Sequence, residues 1–266
     1  MSAEHQLNKT LLAVWTWTVL AFVLAPLVVI TAVSLTPLDY ISLPTTGVSL
    51  RWYAQLTGRN EFIAAGVNSL VIALAASATA LLLGVLVALA TVRYRFPFRN
   101  TASIVATSPL FIPMVMSGLA ILVFFSAVGW HDQATRLYVA HCALTLPYVF
   151  RTVSASLAGY DINQELVARN LGASPIKAFM LVTLPQIGPG LLAGVVFAFI
   201  VSFDNVGLSI FLTGSHFTTL PVELFNYASY SDDPMAAAVS VVMILFSIGA
   251  IAILEKAFGI QRLMRS

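Results

Sequence analysis

Five stretches of this chain, 10–38, 62–92, 100–130, 178–203 and 235–254, carry no charged residue and are mostly apolar. Crossing the roughly 30 Å hydrocarbon core of a bilayer takes a helix of about 20 residues, and each stretch is long enough. Hydrophobic residues make up 59% of the 266 positions and charged ones 9%. The mean hydropathy is +0.92. A soluble domain of this size could not hide so much apolar surface in one core, and about a quarter of its residues would be charged.

A sixth crossing is less obvious. Residues 137–150 are uncharged but short, and the span must run on through Arg151 to about residue 157. An arginine near a helix end can snorkel to the headgroups, so the extension is tolerable. The expectation is one all-α transmembrane domain over 1–266, with spans at 11–35, 63–91, 103–128, 137–157, 189–213 and 235–254. The first apolar run exceeds a signal-peptide core, so a signal anchor fits it better than a cleaved leader.

Basic residues set the orientation. With a cytoplasmic N-terminus, the inner face holds Lys9, Arg93, Arg95, Arg99, Arg151, Arg169, Lys177, Lys256, Arg262 and Arg265. The outer face holds Arg51, Arg59 and Arg136, beside Asp39, Glu61, Asp132, Glu223, Asp232 and Asp233. Ten against three predicts both termini in the cytoplasm by the positive-inside rule. A net charge of +2 is too small to imply nucleic acid. The single cysteine, Cys142, excludes an internal disulfide.

Several local features add detail. Residues 50–56, with Trp52 and Tyr53, suit an interfacial helix at the membrane surface. Asp232-Asp233-Pro234 reads as an acidic cap opening the last span. Ala76, Ala80, Gly84 and Ala88 fall four apart, as do Gly190, Gly194, Ala198 and Ser202, a spacing that lets helices approach closely in lipid.

The inner loop 158–188 differs from the others. Residues 160–171 form a short amphipathic helix, Gly172 stops it, and Ser174 and Pro175 begin a second helix. Pro185 is expected to break that second helix before the fifth span. A helix–turn–helix on the cytoplasmic face suits another protein's groove.

This loop resembles the coupling loop of binding-protein-dependent ABC importer permeases, whose Glu-Ala-Ala is followed after three residues by Gly and later by Leu-Pro. Gly172, Val182, Leu184 and Pro185 match in register, and Ala168-Arg169-Asn170-Leu171-Gly172 resembles a common form of the motif. Leu166 and Val167 stand at the Glu-Ala positions, with Glu165 one residue early. The resemblance implies a six-span, type I permease fold in a bacterial inner membrane. It further implies a partner ATPase docking on Glu165, Ala168, Arg169, Gly172, Lys177, Leu184 and Pro185. Two ATPase copies, a second homologous permease and a periplasmic or extracellular solute-binding protein would complete the machine. ATP and magnesium would belong to the ATPase, with no cofactor on this chain.

Ser202-Phe203-Asp204-Asn205, Phe211-Leu212-Thr213-Gly214 and Leu220-Pro221 resemble the spermidine/putrescine-type branch, although Asn205 replaces its usual acid. Relatives of that branch also carry opines, aminophosphonates, thiamine or ferric iron. A nucleotide-binding Gly-x4-Gly-Lys loop is missing, since none of Lys9, Lys177 and Lys256 follows a glycine. Coupling energy must come from a partner or from an ion gradient, and in the second case Asp204 would be the coupling site of a secondary transporter.

Asp204 lies about 15 residues into the fifth span, roughly 22 Å along it. An intramembrane carboxylate is costly and faces a cavity or a partner. Asp204, with Ser202, Phe203 and Asn205, is therefore the candidate path for a cationic solute, and packing against Ser202 or Asn205 is the competing role. Glu223, Asp232 and Asp233 could extend an acidic vestibule. His131, His141 and His216 form no spaced ligand set, so no metal site is expected.

Overall fold

The computed structural model describes residues 3–43, 45 and 47–258. Arg262 and Arg265, counted above for orientation, lie outside them. The described residues form helices and connecting turns, in two compact units. One holds the chain to Asn60 with 226–246, the other 61–225 with the segment from Ser247.

In the first unit, α1 (Ala3–Ser34) runs for 32 residues, about 48 Å at 1.5 Å per residue. Trp15 and Trp17 are each 69% exposed and Phe22 80%. Such a surface is stable only with hydrocarbon as its solvent. The end of α1 is tied down by the short helix α2 (Arg51–Leu56). Tyr53 Oη lies 2.7 Å from Ser34 Oγ, and Trp52 Nε1 donates to the Thr36 carbonyl at 3.1 Å. Arg51 donates to the Pro37 carbonyl at 2.7 Å and pairs with Asp39. The helix expected at 50–56 is present, but Trp52 is buried rather than an interfacial anchor. Its indole N–H satisfies a carbonyl left free where α1 stops. The opening of α12 (Met235–Phe258) is capped by Asp233, whose Oδ1 accepts from Met235 N at 3.0 Å.

The second unit is built on α6 (Gln133–Ala158), a continuous helix of 26 residues, about 39 Å long. Asp132 caps it by accepting from Thr135 N at 2.8 Å. Hydrogen bonds from the Thr135 side chain and backbone hold that carboxyl below its usual range. Packed on α6 are α3 (Asn60–Arg93) and α10 (Gly188–Phe203), which meet it through the two small-residue stripes. A Cβ at Gly84 would come within 2.8 Å of Val149 Cγ1, and one at Gly194 within 3.0 Å of Val149 Cα. Val149, Val153 and Leu157 form one buried cluster with Ala80, Ala88 and Ala198. Leu137, Ala140 and Leu144 form another with Ile72, Leu208 and Leu212.

Three helical stretches, Lys9–Ser34, Asn60–Arg93 and Met235–Lys256, are long and apolar enough to cross a membrane. Two more crossings result if each of two bent pairs counts as one. The run expected as a straight span at 103–128 is the first pair: α4 (Arg99–Thr107) with a 3₁₀ turn to Phe111, then α5 (Met114–Ala127), bent by 108°. Ile112 and Pro113 are extended between them, because proline disfavours helix at the residue before it. The span expected at 189–213 is helical only to Phe203. Helix α6 has the length of a crossing but a more polar composition, with Arg136 and His141 turned inward. Its environment is protein more than lipid.

Gly194→Val should therefore push α10 off α6 and cost about 1–3 kcal/mol, the usual penalty of overpacking. Thermal unfolding of the solubilised protein reads this out. Gly249→Val serves as control, since a side chain there meets nothing within 4 Å.

Candidate functional site

The loop after α6 is a helix–turn–helix joint closed by local caps. Helix α7 (Asn163–Asn170) ends with Gly172 at φ +93°, a left-handed conformation that L side chains rarely adopt. Gly172 N donates to the Arg169 carbonyl at 3.0 Å and Ala173 N to the Ala168 carbonyl at 3.1 Å. This pair of bonds is the Schellman stop, and it needs a residue at positive φ. Ser174 Oγ then caps α8 (Pro175–Ala178), accepting from Lys177 N at 3.3 Å.

From Phe179 to Thr183 the turns widen to π-type before α9 (Leu184–Gln186). Pro185 has no N–H for the Leu181 carbonyl and its ring crowds that oxygen, so the ladder slips by one residue. The break expected at Pro185 falls instead at Ile187, where the chain bends by 68° into α10. Proline widens the turn at its own position; the bend comes where Pro189 again removes a donor.

Glu165 is the pivot of this joint. It is buried, 2.8 Å from Arg93 Nη1 at the end of α3. Thr183 Oγ1 donates to Glu165 Oε2 at 2.6 Å and accepts from Arg93 Nη2 at 3.1 Å. The guanidinium also lies over the Tyr160 and Phe179 rings, at 5.6 and 5.8 Å from their centroids. Through this cluster α7 and the widened turn are joined to a membrane helix. The outward side of the loop is apolar and basic: Leu171 is 84% and Ile176 78% exposed, with Arg169 and Lys177 exposed beside them. Ala168 and Leu184 are half-buried, and Pro185 is exposed.

The second candidate group separates into two kinds. Asp204, at the C-terminal end of α10, is exposed, and its carboxylate makes no hydrogen bond or ion pair among the described residues. Its expected partners point elsewhere. Ser202 Oγ lies 2.7 Å from His141 Nδ1, and Ser209 Oγ lies 2.9 Å from His141 Nε2. Asn205 is buried, accepting from Leu208 N at 3.0 Å and approaching Met114 Sδ at 3.4 Å. Phe203 stacks on Phe199 with centroids 5.7 Å apart. Ser202, Phe203 and Asn205 thus hold a non-helical stretch, and Asp204 is presented on it. Of the expected vestibule acids, Asp233 is engaged as a cap and accepts from Tyr227 Oη at 2.6 Å. Burial and the nearby charge of Glu61 push the Glu223 carboxyl up.

From the sequence, Arg93 counts only as an inner-face charge and His141 only as a rejected metal ligand, and Thr183 and Tyr160 are given no role. Arg93 and Thr183 are 90 residues apart, and His141 reaches serines 61 and 68 residues away, so no local spacing marks them.

Residues 80–257 match the family of binding-protein-dependent transport system inner membrane components. The chain belongs to this family. It is thus a multi-pass inner-membrane permease component of an ABC importer, and ATP is hydrolysed on a separate subunit. The ion-gradient alternative for Asp204 falls with that membership.

Among relatives, the putrescine transport system permease protein PotI of Escherichia coli K12 is 34% identical over 212 residues, 77% of this chain and 75% of that protein. The spermidine/putrescine transport system permease protein PotC of Haemophilus influenzae is 28% identical over 235 residues, 88% and 91% of the two chains. A solved bacterial ABC transporter involved in importing the acidic polysaccharide alginate aligns with TM-score 0.73 at 15% identity, over 96% of this chain and 98% of that one. The last shares the fold.

Because the Arg93–Glu165 pair is nearly dry, removing either partner strands a charge. Glu165→Ala or Arg93→Ala should each cost about 3 kcal/mol, and the double variant much less than the sum. A double-mutant cycle on thermal stability tests the coupling; additive losses would rule out the pair.

Proposed function

We propose that this permease forms half of the translocation path for a small cationic, polyamine-like solute. It pairs with a second homologous permease and two copies of an ATPase, and a solute-loaded binding protein docks on the outer face. Six crossings, made by α1, α3, the bent α4–α5 pair, α6, α10 and α12, bring both termini to the cytoplasm. The excess of basic residues on that side supports this orientation.

The observation that carries the substrate reading is the free carboxylate of Asp204. A carboxylate at membrane depth is retained where it meets a cavity or an opposite charge. Asn205 carries an amide and is buried, while Asp204 carries a carboxyl group and is open. Only the second can meet a solute, and an amine is the matching charge. The putrescine and spermidine permeases among the relatives support the same cargo class.

The coupling loop transmits the ATPase cycle. Leu171 and Ile176 offer apolar anchors and Arg169 and Lys177 a cationic rim, a composition suited to a partner's groove. Force applied there reaches α3 through Glu165 and Arg93, and reaches α10 through the Phe179–Gln186 turns.

Replacing Asp204 by Asn should remove a charged hydrogen bond worth about 1.5–3 kcal/mol. Half-saturation for a diamine should then rise roughly ten- to a hundredfold, with membrane abundance unchanged. Unchanged uptake kinetics in whole cells would remove Asp204 from the substrate path. Gly172→Val forces a β-branched residue to positive φ and should abolish transport while insertion persists. Normal uptake by that variant would remove the loop from the coupling route.

A further inference from the structure

The turn between α3 and α4 plays no part in the coupling loop or the substrate path. It reads Tyr94-Arg95-Phe96-Pro97-Phe98-Arg99, aromatic and basic side chains interleaved. Tyr94 is 65%, Phe96 38% and Phe98 80% exposed. Arg95 and Arg99 are exposed and pair with no carboxylate among the described residues. Their neighbour Arg93, by contrast, is consumed by Glu165.

Arg95, Phe96, Phe98, Arg99, Asn100 and Thr101 line an open concavity of about 440 Å³. The turn is held with Phe98 at φ 67°, a backbone region where a bulky residue is an outlier. Exposed aromatic surface is costly in water, and two exposed guanidiniums without a carboxylate partner are free to take an anion. At the level of lipid headgroups both features become favourable, since rings settle at the acyl boundary and guanidiniums take phosphate bidentately. The location fits, because the segment joins the end of a membrane-crossing helix to the start of the first bent pair.

We infer that this turn is a binding site for an anionic phospholipid headgroup. Arg95 and Arg99 hold the phosphate, Asn100 and Thr101 supply further polar contacts, and Phe96 and Phe98 lie along the acyl chains. Charge complementarity selects phosphatidylglycerol over phosphatidylcholine whichever leaflet the turn occupies.

The test is native mass spectrometry of the importer complex, released from detergent containing equimolar phosphatidylglycerol and phosphatidylcholine. The wild type should retain phosphatidylglycerol preferentially. The preference should fall about fivefold for each arginine removed, in Arg95→Gln and in the double variant with Arg99→Gln. Arg95→Lys with Arg99→Lys should keep most of it, which separates lost charge from lost fold. Arg169→Gln, an exposed arginine of the coupling loop, should leave it unaltered. An undiminished preference in the double glutamine variant overturns the site, as does full displacement of the lipid by millimolar inorganic phosphate. Loss of co-purifying subunits with the lipid ratio unchanged would assign the turn to protein docking and equally overturn it.

Discussion

Two membrane helices can approach α6 closely because Gly84, Gly190, Gly194 and their alanine neighbours leave room for its backbone. Lipid tails are as apolar as leucine, so burial alone does not drive such contacts; dispersion across a tight interface does. The α3–α6–α10 packing is therefore the frame on which the rest hangs. It places the end of α3 beside the loop after α6, where Arg93 can reach Glu165. It also brings Ser202 of α10 against His141 of α6, anchoring the non-helical stretch that carries Asp204.

Most of the larger polar side chains inside this frame are matched, while the hydroxyls of Ser77 and Ser154 are buried without a partner. His141 sits between two serine hydroxyls, Asn205 satisfies the turn after α10, and Thr183 bridges both partners of the ion pair. An unmatched polar atom in such surroundings costs about as much as a lost hydrogen bond or more. Exposed charges without partners stand out against that economy. Asp204 and the Arg95–Arg99 turn carry exposed ionisable groups with no salt-bridge partner among the described residues.

The Glu165 geometry gives a physical meaning to the displaced motif. Leucine and valine at the Glu-Ala positions are exposed on α7, and the nearby acid is buried instead. A buried pair that loses one member is strongly destabilising, whereas the intact pair fixes one arrangement of loop and span. The pair thus ties α7 to the end of α3.

Much of this was legible in one dimension. Uncharged runs marked the membrane helices because hydrocarbon tolerates no free charge. Gly172, Ser174 and Pro175 marked the joint because stops and caps are local. The small-residue stripes marked the interfaces because period four is a helix face. Tertiary structure alone decided where two runs bend, since a proline permits a break but neighbouring packing chooses its place: Ile112 in one run, and Ile187 rather than Pro185 in the other. It likewise decided that Trp52 is buried, that Asp204 is open while Asn205 is closed, and that Arg93 belongs to Glu165. Those outcomes join residues tens of positions apart, and only the folded chain brings them within hydrogen-bond reach.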